Sequence, residues 1–440
     1  MNNKVEPRTL PGFMELNPDD QILFNNIKKI ISETYEKYGF WPLDTPVIEY
    51  SSVLLAKAGG ETEKQIYRFN KGDNDLSLRF DLTVPLAKYV SQKYNELPFP
   101  FKRYQIGKVY RGERPQKGRF REFYQCDIDV IGDGELSLKY DAEIPSIIYD
   151  VFTRMNIGKF VIRLNNRKVL NGFFESLNVN VPFAEILRVI DKIDKIGEEE
   201  TKEYLMEVLN DKTSVDKIMN FIKIKGSTAE VIKSLKELNI DNELFNLGVS
   251  ELEFVTNEMK KMGMSEDNFK IDLTIARGLD YYTGTVYETI LTDYPGIGSV
   301  CSGGRFDDLA GHYTDKKLPG VGISIGLTRL FYQLKEAGII KNESNSCSDV
   351  MILPMGVDDE YIYNVASKLR GSNYSVTMCY TDGKFKSKMK YADKCHVKYT
   401  IIIGEDEVKN SQVTLKNMIT GEQAVDSIDK IVDILNKNKQ

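Results

Sequence analysis

Apolar residues recur along the chain with two different periods. Residues 17–39 open on a cap-like Asn17 and place Ile22, Leu23, Ile27, Ile30, Ile31 and Tyr35 at helical spacing before Gly39, which predicts an amphipathic helix. The next stretch, FWPLDTPVIEY, reads as an extended, proline-marked strand. LSLRF, RYQIGKVYR, EFYQCDIDVIG, IDLTIA, TVYETIL and VGISIGL are β-rich as well. Many strands with hairpin-like links and few helices predict an α+β sheet domain and not a βαβ repeat. Between about 166 and 268 the pattern turns to charged, leucine- and isoleucine-periodic runs such as AEILRVIDKIDKI and TAEVIKSLKEL, expected to form a helical insertion. A polar spacer, KNESNSCSD, then leads into strands and helices in alternation, the pattern of a small open α/β domain. The expected organisation is a sheet domain over 1–340, interrupted by the insertion, and a second domain over 347–440.

Composition narrows the class. Of 440 residues, 41% are apolar and 28% charged, which excludes a disordered, collagenous or membrane-embedded chain. No run reaches the roughly 18 apolar residues of a spanning helix. The first residues, MNNKVEPRTLPGF, lack a signal-peptide core, so a cytoplasmic protein is expected. Five cysteines without a C-x-x-C pair indicate neither a zinc ribbon nor a disulfide framework. Only His312 and His396 are present, which disfavours a Ser-His-Asp triad, a two-histidine zinc site and H-E-x-x-H chemistry. Chemistry is left to carboxylates, arginines, amides and tyrosines. The net charge of -6 argues against non-specific coating of nucleic acid, but residues 347–440 carry 13 basic and 13 acidic side chains and stand apart from the acidic remainder.

The densest chemical signal runs from Arg103 to Val130. Two β-like arms flank a polar loop holding Pro115 and Gly118, and Arg111, Glu113, Arg114, Arg119 and Arg121 alternate with Gln125, Asp127 and Asp129 at even spacing within each arm, so alternate side chains are expected to share one face of a sheet. Phe123 is near them. So many arginines beside an aromatic ring fit a polyphosphate with an aromatic shelf for a base.

These residues resemble a known family. Arg111-x-Glu113, a loop and Arg119-x-x-x-Phe123 match motif 2 of the class II aminoacyl-tRNA synthetases. SLRFDLTVPLAKYV and ARGLDYYTGTVYE are similar to the histidyl-tRNA synthetases in particular. PLDTPVIE looks like motif 1 and GVGISIGLTRL like motif 3, so the resemblance covers essentially the full chain. It implies an antiparallel-sheet class II catalytic domain with a helical insertion, followed by an α/β anticodon-binding domain. It also implies a homodimer that uses L-histidine, ATP with Mg²⁺, and histidine tRNA. Arg111 and Arg277 would be the catalytic cations on the α-phosphate. Glu113, Arg119, Phe123 and Arg329 would hold the rest of ATP. Asp81, Thr83 and Gln125 would surround the α-amino group of histidine, with Asp129, Tyr281, Tyr282 and Arg277 completing its site. Arg114 and Gln116 of the motif 2 loop are expected at the tRNA acceptor end. Lys384, Lys386, Lys388 and Lys390 are expected at tRNA phosphates, and no protein metal site is expected. The pattern departs from the family at Phe306, Asp308 and Thr328. A non-catalytic, histidyl-synthetase-like regulatory subunit is the alternative, but such subunits lack the tail domain and degrade the activation motifs.

Overall fold

The structure, a computed structural model, describes residues 4–56, 61–114, 118–275, 282–341 and 346–438. The chain divides into two compact units, Met1–Glu15 with Ile27–Ile340, and Leu16–Asn26 with Lys341–Gln440.

The first unit is built on eight strands: β1 (Trp41–Pro42), β2 (Phe101–Tyr110), β3 (Glu122–Ile131), β4 (Phe160–Asn166), β5 (Phe269–Ile271), β6 (Thr285–Leu291), β7 (Ser299–Phe306) and β8 (Gly320–Ile325). Their spatial order is β1-β2-β3-β8-β7-β6-β4-β5. Only the outer pairs, β1 with β2 and β4 with β5, run parallel. The expected hairpin is β2–β3, in register from Phe101 opposite Ile131 to Tyr110 opposite Glu122. Arg111 to Arg114 lie beyond its ladder, so strand alternation does not order them. FWPLDTPVIEY is not one strand. Its prolines break it into Trp41–Pro42, on the large sheet, and Ile48–Tyr50, which joins a separate three-stranded sheet.

One face of the large sheet is sealed by apolar packing. Ile27, Ile31 and Tyr35 of the helix Pro18–Lys37 are buried, and the Tyr35 hydroxyl donates to the Cys126 carbonyl at 3.2 Å. The helix Lys139–Met155 buries Ile144, Ile147, Ile148, Val151 and Phe152. Its Pro145 interrupts an otherwise helical pattern, which hides the element in the sequence. At its start Asp141 holds Arg305 through Nε at 3.1 and 3.0 Å and through a second nitrogen at 2.6 Å.

Between β4 and β5 the chain forms six helices: Arg167–Ser176, Phe183–Ile190, Ile193–Leu209, Lys212–Ile222, Thr228–Glu237 and Glu243–Lys261. They enclose their own core around Phe173, Phe174, Phe221 and Phe245.

The second unit carries a five-stranded sheet ordered Val376–Met378, Val350–Pro354, Tyr399–Ile403, Val413–Asn417, Gln423–Asp426. The first three strands are parallel and the last two antiparallel to their neighbours. Helices Asp359–Gly371, Phe385–Lys394, Glu405–Lys409 and Ile428–Lys437 complete it. Among the described residues no helix is long and apolar enough to cross a membrane.

Candidate active site

The hairpin strand β3 forms the floor of a cavity of about 430 Å³, within the range of small-molecule sites. Strand alternation puts Phe123, Gln125, Asp127 and Asp129 on the cavity face, as the even spacing predicts. Asp81, Thr83, Arg111, Glu113, Arg119, Tyr282 and Arg329 line the same space. Arg277, Tyr281 and Gln116 lie outside the described residues. Arg114 is exposed in the coil beyond β2 and does not line the cavity.

One end is polar and dry. Asp129 is 3% exposed and ion-paired at 2.8 Å with Arg103, its cross-strand partner on β2, which is wholly buried. Arg103 also donates to the Leu82 carbonyl at 3.1 Å. On the other side of Asp129 stands Gly322 of β8. A Cβ there would lie 2.0 Å from an Asp129 carboxylate oxygen, so the glycine makes room for the carboxylate. Asp81 precedes the helix Thr83–Gln92 and accepts the Val84 N–H at 3.1 Å, which fixes its direction. Its second oxygen has no hydrogen-bond partner among the described residues. Gln125 donates to the Ser324 hydroxyl at 2.9 Å.

Burial dominates the ionisation of this end. Loss of hydration pushes Asp81 up to about 6, although the Val84 N–H, Arg111 and Arg103 pull the other way. Asp127 is pushed up to about 7 by the same cause, against Arg103 and Ser324. Asp129 is raised too, with Arg103 opposing. Three buried carboxylates around one buried guanidinium leave more anionic than cationic sites, which suits a cationic ligand.

The other end carries cations and an aromatic ring. Arg111 donates through Nε to the Phe80 carbonyl at 3.0 Å, and its guanidinium lies 5.3 Å from the Phe123 ring centre. Glu113 and Arg119 pair at 3.5 Å. Arg329 donates to the Ile297 carbonyl at 3.2 Å from the helix Leu327–Glu336. In that helix Thr328, where the family usually has an acid, is buried, and its hydroxyl accepts the Tyr124 N–H at 2.8 Å. Phe306 packs in the core with Leu86, Phe101 and Ile131.

Arg103, Asp127 and Ser324 are site residues that the sequence reading did not assign. For Asp127 the signal was present, since it shares the i, i+2 series with Gln125 and Asp129. For Arg103 and Ser324 it required the strand register, which sets Arg103 opposite Asp129 and places Gln105, Asp127, Ser324, Ser302 and Glu288 in one row across the sheet.

The lysines of the second unit divide. Lys384, Lys386 and Lys390 are exposed, but Lys388 is buried and donates to the Pro354 carbonyl at 2.6 Å. This corrects the expectation for Lys388. Even spacing gathers side chains on one face of a strand, whereas on the helix Phe385–Lys394 it turns alternate lysines about 200° apart.

Compared with known proteins, residues 12–330 match the family described as Histidyl-tRNA synthetase, and residues 349–438 match the Anticodon binding domain. A histidine--tRNA ligase of Clostridium tetani is 60% identical over 98% of this chain and 98% of its own. One of Finegoldia magna is 49% identical over 98% of this chain and 100% of its own. The crystal structure of histidyl-tRNA synthetase from Nostoc sp. PCC 7120 superposes with a TM-score of 0.90 at 40% identity, covering 99% of this chain and 100% of that one. With its class II sheet, its cavity and its tail unit, the chain belongs to the histidyl-tRNA synthetase family.

Proposed function

We propose that the protein joins L-histidine to ATP, releasing pyrophosphate, and transfers the histidyl group from the adenylate to the 3′ end of histidine tRNA. The observation that carries this reading is one cavity with buried carboxylates at one end and the Arg111–Phe123 pair at the other. Activation brings an amino-acid carboxylate to the α-phosphate of ATP, so two anions meet. The site must supply fixed positive charge and needs no acid or base. Arg111 takes the α-phosphate, held in direction by the Phe80 carbonyl. Phe123 stacks on adenine, Glu113 meets its amino group, and Arg119 and Arg329 hold the outer part of the nucleotide. Arg277 is assigned to the histidine carboxylate and the α-phosphate, and Tyr281 to the amino-acid site. Asp81, Thr83 and Gln125 take the α-ammonium group, Asp129 and Tyr282 the ring. Among the described residues no three His, Cys, Asp or Glu side chains gather as a metal site. Mg²⁺ enters this reading with the substrate, as MgATP, its charge offsetting that of the departing pyrophosphate.

The tail unit takes the anticodon region of the tRNA, with exposed Lys384, Lys386 and Lys390 at phosphates. Arg114 and Gln116 take the acceptor end. The working form is a homodimer in the cytoplasm. Its support is an apolar face on the small sheet, where Ile48, Tyr50 and Phe69 are 47%, 56% and 38% exposed and Tyr50 and Phe69 both oppose Leu76.

Charging of a histidine tRNA transcript tests the whole reading. ATP-dependent formation of histidyl-tRNA, with pyrophosphate released, is expected; no charging by folded protein, or charging with another amino acid, contradicts it.

A further inference from the structure

Asp127 faces the cavity but has no part in the reaction as described above. It lies on β3 between Gln125, assigned to the α-ammonium end, and Asp129, assigned to the ring, and all three share a face. The side chain is 3% exposed. The Ser324 hydroxyl hydrogen-bonds its carboxylate and in turn accepts from Gln125 at 2.9 Å, so its direction is fixed. Its Oδ1 has no hydrogen-bond partner among the described residues. A buried carboxylate oxygen left without a donor is costly, which points to a ligand donor at this place.

An imidazole ring presents two nitrogens. When the ring N–H meets ionised Asp129, the second nitrogen of a neutral ring carries a lone pair. Set against an ionised Asp127, it would place lone pair against lone pair. One additional proton resolves the conflict.

Resting on the reading that this site activates histidine, we propose that Asp127 is a specificity residue whose free Oδ1 pairs with the second ring nitrogen of the substrate, the two sharing one proton. The proton is carried in by either partner. It lies on Asp127 or on the imidazole before binding and between them afterwards, and no other group is oxidised, reduced or cleaved. Groups acting on Asp127 are Arg103 from β2, Asp129 and Cys126 from β3, Cys301 from β7, Asp81 before the helix Thr83–Gln92, and Tyr35 from the first helix. Among them burial decides the balance and pushes Asp127 up to about 7. The free enzyme therefore holds the proton below about pH 7 and loses it above, while an ordinary imidazole loses its own near 6.5. Histidine capture weakens as both are lost.

The test is kcat/KM for histidine in pyrophosphate exchange from pH 7 to 8.5, in the full-length protein and in Asp127→Asn. The amide of the variant donates to the ring without titrating. The wild type is expected to fall by about tenfold per pH unit at the alkaline end, and the variant by less than about threefold over the range, with KM for ATP equal in both. The α-ammonium group of histidine titrates alike in both, so the difference isolates Asp127. An equal decline in the two proteins, or a flat wild-type profile, overturns the proposal. Should Asp127→Asn fail to fold, calorimetry of histidine binding to the wild type at pH 8, in two buffers of different ionisation enthalpy, decides. Uptake of nearly one proton per histidine supports the pairing, and no uptake overturns it. Absence of any histidine-dependent exchange by the wild type would instead refute the activation reading on which the pairing rests.

Discussion

Asp81 shows how a single side chain in the cavity wall costs the folded protein stability. Its folded-state carboxyl is raised from 3.8 to about 6 by burial. A raised carboxyl contributes stability that is complete below pH 3.8 and is lost as pH rises through about 6. The ligand-free protein thus carries a strained carboxylate at neutral pH. Asp81→Asn keeps an oxygen for the Val84 N–H and removes the charge. It is expected to stabilise the free protein by about 1–3 kcal/mol at pH 8, the gain shrinking towards zero near pH 4, and to raise KM for histidine at least tenfold. Urea unfolding at the two pH values checks the first part and exchange kinetics the second; a variant less stable at pH 8 would show that the carboxylate is a structural cap alone. At this scale the sequence was informative where spacing carries the meaning. Asp129 and Gln125 were legible because a strand alternates. Arg103 was not, since its role depends on the partner that the hairpin register sets opposite it. Nor was Gly322, since the room it makes has meaning only with the carboxylate beside it in place.

Among the elements, the helices Arg167–Ser176 and Glu243–Lys261 cross at glycines. A Cβ on Gly248 would lie 2.6 Å from the Val169 backbone nitrogen, and one on Gly172 would lie 2.4 Å from that of Phe245. In an open helix glycine to alanine gains about 1 kcal/mol from backbone entropy. Here the backbones cannot separate without opening the core of the insertion, so Gly248→Ala is expected to lose about 1–3 kcal/mol. Thermal unfolding measures the sign; a raised Tm would mean that the crossing is loose. The helix Phe385–Lys394 gives a second contrast. Lys386→Gln with Lys390→Gln is expected to raise KM for tRNA and to lower the salt slope by about 1 for each phosphate no longer neutralised. Lys388→Met should leave the slope alone and lower the Tm, because the Pro354 carbonyl loses its donor. Equal salt effects from both would mean that the buried lysine also reaches RNA. Helix existence was readable here from the periodicity, whereas which lysine turns inward depended on phase against the sheet. Lys139–Met155 escaped notice because Pro145 breaks the local pattern that tertiary packing restores.

For the whole molecule, the change of period along the chain already separated sheet, helical insertion and α/β tail, because each architecture buries a differently spaced set of residues. What it did not convey was the strand order β3-β8-β7-β6, which brings motif 2, motif 3 and Tyr282 into one cavity, motifs 2 and 3 from about 200 residues of separation. The central claim is that this cavity joins a dry carboxylate pocket to an arginine-bound nucleotide. Activation then depends on histidine and does not depend on tRNA. The direct measurement is ATP–pyrophosphate exchange with each of the twenty amino acids, in the absence of tRNA. The account predicts exchange with histidine, at least about 10⁴-fold above any other amino acid because the buried polar groups stay unpaired without its ring. Exchange of similar size with several amino acids, or none with histidine, would contradict it.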